Sequence, residues 1–273
     1  MSVPPAAPSS VSARLAELGE FVRDSRAIAR VEIRKLLRDP TELVSRAVQP
    51  VLWLVVFGQV FSRARGIPTG NIGYLAFMTP GILGQSVLFS AIFYGIAVIW
   101  ERDLGVVHKL LVSPALRGAL VFGKALSAAV RGLIQAVIVY IIAAVLHIGL
   151  HWGVADILAV MLAVMLGSAI FATFSLIIAC LVKTRERFMG VGQVLTMPLF
   201  FASNAIYPLE LMPEWLKAIA RVNPLTYLVD ALRTLMVTGA ESTSGLTLDF
   251  GVIGVVIVLL VGTAARLYPG LAR

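Results

Sequence analysis

The sequence predicts an all-α integral membrane protein with six transmembrane helices. A cytoplasmic amphipathic interface helix precedes the first span, and short re-entrant helices precede the last. Three observations predict this class. The 273 residues are 59% hydrophobic and 14% charged, with a mean hydropathy of +0.91; an ordinary soluble domain carries roughly 25% charged residues. Residues 66–100, 157–182 and 188–209 contain no Asp, Glu, Lys or Arg, and runs longer than about 18 such residues read as membrane-spanning helices. Of the 23 Lys and Arg, 18 fall in the segments that six spans would place on one side, the bias of cytoplasmic loops. A water-soluble enzyme is excluded.

Residues 1–9, rich in Pro and Ser, are expected to be a disordered tail. Residues 10–42 are expected to form the interface helix. Val11, Leu15, Leu18, Val22, Ala29, Ile33, Leu36 and Leu37 fall near helical spacing, with Arg23, Arg26, Arg30 and Arg34 beside them. An apolar stripe with a basic neighbour suits a helix lying on an anionic leaflet. Asp39-Pro40 ends it, because the residue before proline avoids the helical region.

A six-helix domain then takes residues 43–268, with spans at about 43–61, 72–100, 125–147, 157–182, 188–206 and 246–267. Arg46 can snorkel at the start of the first span. Pro80, Gly81 and Gly84 predict a kink or broken start in the second. Arg131 is placed near one end of the third, and Pro198 lies within the fifth. The uncharged stretch of the last, Phe250 to Ala265, needs snorkelling at Arg266. The charge split puts both termini in the cytoplasm. A five-span alternative would leave 207–273 outside, against the apolar run at 250–265.

The net charge of +8 and pI near 10.1 suit the loops of a membrane protein better than nucleic-acid binding. Gly118 to Ala125, GALVFGKA, matches a phosphate loop except at its last position. A genuine loop needs Ser or Thr there for magnesium, after a strand and before a helix. His147 and His151, with Asp156 nearby, lack a third metal ligand at a short spacing. Cys180 lies in an apolar run and reads as a packing residue. No acid, base and nucleophile set appears within a span. No Asp or Glu lies at the centre of any predicted span, where ion-coupled transporters keep charged ligands.

Residues 101–124, ERDLGVVHKLLVSPALRGALVFGK, are cytoplasmic by the charge count and longer than a connection requires. Leu104, Val106, Val107, Leu110 and Leu111 give the segment an apolar face suited to a cytosolic partner. In the expected outer re-entrant segment, 207–235, Asn223-Pro224 is a strong helix start. Leu225, Leu228, Val229 and Leu232 line one face, opposite Asp230 and Arg233. Pro213 to Val222 forms a second short amphipathic helix, and Trp215 and Tyr227 suit headgroup level.

These features resemble the membrane permease of an ABC exporter, of the family that holds polysaccharide, nodulation-factor and daunorubicin-type drug exporters. The residues that carry the resemblance are the helix before span 1, ERDLGVVHKLLVSPALRGALVFGK and MPEWLKAIARVNPLTYLVDALR. It covers roughly residues 20–268. The resemblance implies a homodimer or heterodimer of permeases with two cytosolic ABC ATPase subunits, in a bacterial plasma membrane. This chain would bind no cofactor and hold no catalytic residues; ATP and Mg would sit on the partners. It also implies a coupling helix that docks on the ATPase, carried over to Glu101, Arg102, Asp103, Gly105, Lys109, Leu110, Leu111, Ser113 and Pro114. The outer gate would include Trp215, Asn223, Pro224, Tyr227, Asp230 and Arg233. Candidates for an apolar path are Phe89, Phe93, Tyr94, Phe200, Phe201, Asn204 and Tyr207. The implied cargo is amphiphilic or lipid-like: a drug, a glycolipid or a polysaccharide. An ion-coupled transporter or channel and a membrane-embedded enzyme are the competing classes.

Overall fold

The computed structural model describes residues 40–64, 69, 72–104, 117–182 and 184–267, together with Arg23, Arg30 and Arg34. Among these residues the chain is helices and turns, with one isolated bridge between Leu150 and Val237. Helix α1 (Pro40–Val51) runs into a π-helical turn, Leu52–Phe57, and then α2 (Gly58–Ala64). Pro50 sits in the last turn of α1. Proline has no N–H to donate, and its ring crowds the carbonyl four residues back. The register loosens just after it: the Gly58 N–H donates to the Trp53 carbonyl, five residues back.

Among the described residues the remaining α-helices are α3 (Tyr74–Asp103), α4 (Arg117–Val145), α5 (Val154–Leu181), α6 (Arg185–Phe201), α7 (Glu214–Val222), α8 (Pro224–Met236) and α9 (Leu246–Leu267), with a short 3-10 turn at Leu209–Leu211. Among the described residues, four are long and apolar enough to cross a membrane: α3, the Ala128–Val145 part of α4, α5 and α9. The segments expected as first and fifth spans are shorter. The apolar part of the α1–α2 helix is Ala47–Arg63. Helix α6 has 17 residues, about 25 Å at 1.5 Å per residue, against a bilayer core of about 30 Å.

Helix α5 is central and packs on α3, α4, α8 and α9. A central helix must be apolar all round, which accounts for its long uncharged run. Small residues set its spacing from its neighbours. A Cβ at Gly95 of α3 would overlap Ser175 and Phe188. The Gly95 N–H instead donates to Ser175 Oγ at 3.0 Å, and that hydroxyl donates to the Ile92 carbonyl at 2.9 Å.

Three expectations are corrected. Pro80, Gly81 and Gly84 do not break α3, which is one helix from Tyr74 to Asp103. Gly81 and Gly84 serve close approach: a Cβ at Gly81 would overlap the Ala205 backbone, and Val229 packs on Gly84. Arg131 lies near the start of the membrane-length part of α4, Ala128–Val145, as expected, but the helix itself reaches further. Helix α4 begins at Arg117 rather than Ala125, and neighbouring Gly132 packs on Ser168 at the middle of α5. Helix α6 ends at Phe201 rather than Ile206. Its carbonyls at Leu199 and Ala202 are taken by Asn223 Nδ2, at 2.7 and 2.9 Å.

Helix α8 enters the bundle deeply. Leu228 packs on Gly167, which lies 13 residues after the first residue of α5, Val154. That places Leu228 against the middle of α5. The helix returns to the bundle end at Val237, which bridges to Leu150.

Candidate functional site

Two polar clusters mark opposite ends of α3, with an apolar groove between them. At the Asp230 end, Asn223 joins two helices. Its Oδ1 accepts the Leu225 N–H at 3.0 Å, capping α8, while its amide closes the end of α6. Arg233 reaches across to α3: Nε donates to the Phe77 carbonyl at 3.3 Å, and the guanidinium lies 3.9 Å over the Phe77 ring. Nη2 donates to the Asn204 backbone carbonyl at 2.6 Å. With its amide turned to suit its neighbours, Asn204 accepts from Arg233 Nη1 at 3.3 Å and donates to the Thr226 carbonyl at 3.2 Å.

Asp230 and Arg233, on the face opposite Leu225 and Leu228, are themselves only 2% and 5% exposed. Helix α8 dips between α3, α5 and α9, so its polar face is buried as well as its apolar one. Buried charges must be paired and hydrogen-bonded. Arg233 Nη1 lies 4.0 Å from Asp230 Oδ1. Asp230 Oδ2 accepts the backbone N–H groups of Thr243 and Ser244 at 2.9 and 3.1 Å, and Oδ1 accepts Thr243 Oγ1 at 3.2 Å. The Ser-Thr-Ser run at 242–244 and Asp249 therefore belong to this cluster. Sequence reading missed them; the signal was a run of hydroxyl residues and a glycine just before an acidic first helical turn.

Of the other residues assigned to this end, Pro224 is the first residue of α8. Tyr227 Oη donates to the Arg221 carbonyl at 2.6 Å. Trp215 is exposed on α7. In α7, Lys217 Nζ sits 3.0 Å from Glu214 Oε1, and that hydrogen bond holds the exposed Glu214 carboxylate below its ordinary range. His151 Nδ1 lies 3.4 Å from the Leu235 carbonyl.

At the Asp103 end, the last turn of α3 is tied to the turn between α5 and α6. Asp103 Oδ1 accepts Arg102 Nη2 at 3.1 Å, and Oδ2 accepts Arg185 Nη2 at 3.0 Å. Arg102 Nη1 donates to the Val182 carbonyl at 3.4 Å, and the Arg185 guanidinium lies 4.0 Å over the Trp100 ring. Arg185 is the residue that sequence reading passed over, because a charged turn reads as solvent-facing. Glu101 is half-buried beside them. Gly105, Lys109, Leu110, Leu111, Ser113 and Pro114 lie outside the described residues, as does Arg26. Arg23, Arg30 and Arg34 are helical and exposed. Gly118 to Ala125 lies within α4, so its amides serve a helix rather than a phosphate cradle.

The groove, of about 200 Å³, lies between α3 and α6, lined by Phe89, Ile92 and Ile96 on one side and Met189, Gln193 and Met197 on the other. The seven path candidates do not share it. Phe89 forms part of its wall. Phe93 and Tyr94 lie on α3, but their side chains are outside the description. Phe200 is buried against Trp53 and Phe201, with ring centroids 5.9 and 5.2 Å away, and Phe201 is exposed. Asn204 is part of the Arg233 network. Tyr207 donates to the Phe201 carbonyl, and burial pushes its phenol up.

An all-helical bundle with four membrane-length helices and polar clusters at its two ends is the frame of a polytopic membrane protein. Residues 24–237 match the ABC-2 type transporter family, and the chain belongs to it. A putative transport permease, ycf38, of Cyanophora paradoxa is 32% identical over 217 residues, covering 79% of this chain and 74% of that one. The daunorubicin resistance ABC transporter permease protein DrrB1 of Streptomyces coeruleorubidus is 24% identical over 231 residues, 84% of this chain and 78% of its own. Nodulation protein J of Rhizobium leguminosarum bv. viciae is 26% identical over 226 residues, 81% and 85% of the two chains. The protein is therefore a membrane transport permease of this family.

Proposed function

We propose that this chain is the transmembrane subunit of an ATP-driven exporter in a bacterial plasma membrane. It works as a dimer of permeases with two separate ATPase subunits, which bind ATP and Mg. Both termini and the 101–124 segment face the cytoplasm, and all six apolar segments cross. The two 17-residue segments, Ala47–Arg63 and α6, need local thinning of the bilayer or snorkelling of flanking arginines to do so. The cargo is amphiphilic or lipid-like, in keeping with the drug-resistance name of one relative.

The observation that carries this reading is the Asp103 cluster. It joins α3 and the α5–α6 turn where the chain leaves α3 for the proposed coupling segment. A push on that segment would thus move α3 and α6 together, the two walls of the apolar groove. ATP drives such a change only through a difference in binding between the two states. In alternating access, that difference tilts the protomers and exposes the groove, with Phe89 in its wall, to one side and then the other. At the far end, α7 and α8 close the outer side.

The test is reconstitution of the permease with its ATPase in vesicles. Glu101→Ala and Gly105→Pro are expected to abolish cargo-stimulated ATP hydrolysis while membrane insertion is kept; undiminished stimulation refutes the coupling role. A cysteine at Thr69 is expected to label from outside and one at Thr184 not to. The reverse pattern overturns the orientation.

A further inference from the structure

Ser242 Oγ lies 3.0 Å from Asp230 Oδ2 and 3.0 Å from Asp249 Oδ2. It also accepts the Gly245 N–H at 2.6 Å. A serine hydroxyl has one proton and two lone pairs. One lone pair is taken by Gly245, so one proton and one lone pair remain for two carboxylates. If both were ionised, one carboxylate oxygen would face a lone pair at hydrogen-bond distance. The arrangement is satisfied only if one acid carries a proton of its own and donates it to Ser242.

The two acids differ in a way that locates the proton. Asp230 Oδ2 already accepts two backbone N–H groups, Oδ1 accepts a hydroxyl, and Arg233 lies 4.0 Å away. That is the environment of an anion. Asp249 is fully buried, and its Oδ1 has no hydrogen-bond partner. An ionised carboxylate with an orphaned oxygen in an apolar interior is far costlier than a neutral acid with one. The charged neighbours at this end are Asp230 and Arg233 on α8. Exposed Glu241 lies in the preceding loop, Asp156 opens α5, and Arg266 lies at the far end of α9.

We propose that the Asp230–Ser242–Asp249 chain is a proton-binding site in which Asp249 is held as the neutral acid. Its Oδ2–H donates to Ser242 Oγ, and Ser242 donates to the Asp230 anion. The bound proton ties the first turn of α9 to α8 through the 242–245 loop. No step of the proposed ATP-driven cycle uses it, and the site stands whether or not that cycle is right.

The experiment is infrared spectroscopy of the full chain in lipid nanodiscs at neutral pH, in H2O and D2O. The wild type is expected to show a carboxylic-acid C=O band that shifts in D2O and is lost in Asp249→Asn. Asp156→Asn is expected to keep it. Absence of the band from the wild type, or its survival in Asp249→Asn, overturns the site. Thermal stability gives a second readout. Asparagine can donate to Ser242 as the neutral acid does, so Asp249→Asn is expected to melt with the wild type. Asp249→Ala, which cannot, is expected to melt about 2–4 °C lower. An Asp249→Asn protein as unstable as Asp249→Ala counts against a neutral acid.

Discussion

The two ends of α3 hold similar numbers of charges and use them differently. At the Asp230 end, the charges are buried and closed on themselves. Backbone amides, hydroxyls and Asn223 provide partners for Asp230 and for the helix ends, and Arg233 spends its donors on carbonyls of α3 and the 202–205 turn. At the Asp103 end, Asp103 and Arg185 are each more than a third exposed or close to it, at 38% and 35% of their side chains. Their contacts reach only the adjacent turn. A buried network gives a rigid frame, whereas an exposed ion pair contributes little stability and is free to exchange partners. The first end is built to hold; under the proposed function, the second is the end that is moved.

Removing a charge from each end is the sharpest way to break that contrast. Arg233→Met leaves Asp230 buried with a weakened partner set, and is expected to lower stability by about 3–5 kcal/mol. Reduced yield and a lower melting temperature in detergent would register it; wild-type melting would show that the frame is not held by this charge. Gly81→Val pushes a branched side chain into the Ala205 backbone and is expected to cost about 1–3 kcal/mol. An undisturbed Gly81→Val protein would mean that α3 and the 202–205 turn do not touch. Asn223→Ala removes a cap and orphans the Leu199 and Ala202 carbonyls. About 1–2 kcal/mol is expected from the cap alone, read as faster proteolysis between α6 and α8.

Arg185→Ala should do the opposite of these. Its ion pair and ring contact are partly exposed, so less than about 1 kcal/mol of stability is expected to go. ATP hydrolysis by the reconstituted complex is expected to lose most of its stimulation by cargo. A large stability loss with intact stimulation would reverse the roles given to the two ends. Glu214→Gln is the smallest case. Lys217 holds that carboxylate low, so its contribution is present at neutral pH and lost as the pH falls. The group is fully exposed, and melting is expected to be unchanged in the variant and in acid alike.

Much of this architecture was readable from residue order. The uncharged runs located the apolar stretches of α3, α5 and α9, because a lipid-facing or fully buried stretch excludes charge; their charges fall in the end turns, as at Asp103, Asp156, Asp249 and Arg266. Asn223-Pro224 located the start of α8, because capping is a local event. The start of α4 was not legible: Arg117 and Lys124 interrupt the apolar residues of its first turns, so the helix reads as beginning at Ala125 rather than Arg117. The site was less legible than the fold. Asp230 and Arg233 look like the wet side of an amphipathic helix, since helical periodicity records how residues alternate but not what covers each face. Arg185 and Asp103 are 82 residues apart, and Ser242 bridges acids from two helices; no spacing rule connects such partners.

Composition and order alone were enough to say that this chain lives in lipid and is helical, because the absence of water forces every backbone group to find a partner within its own segment. Packing alone settled where the charges went. Helix α8 packs between α3, α5 and α9, and that placement turns a surface-looking Asp and Arg into the buried centre of a closed network. Burial depends on neighbours far away along the chain, and a side chain carries no record of them until the helices have met.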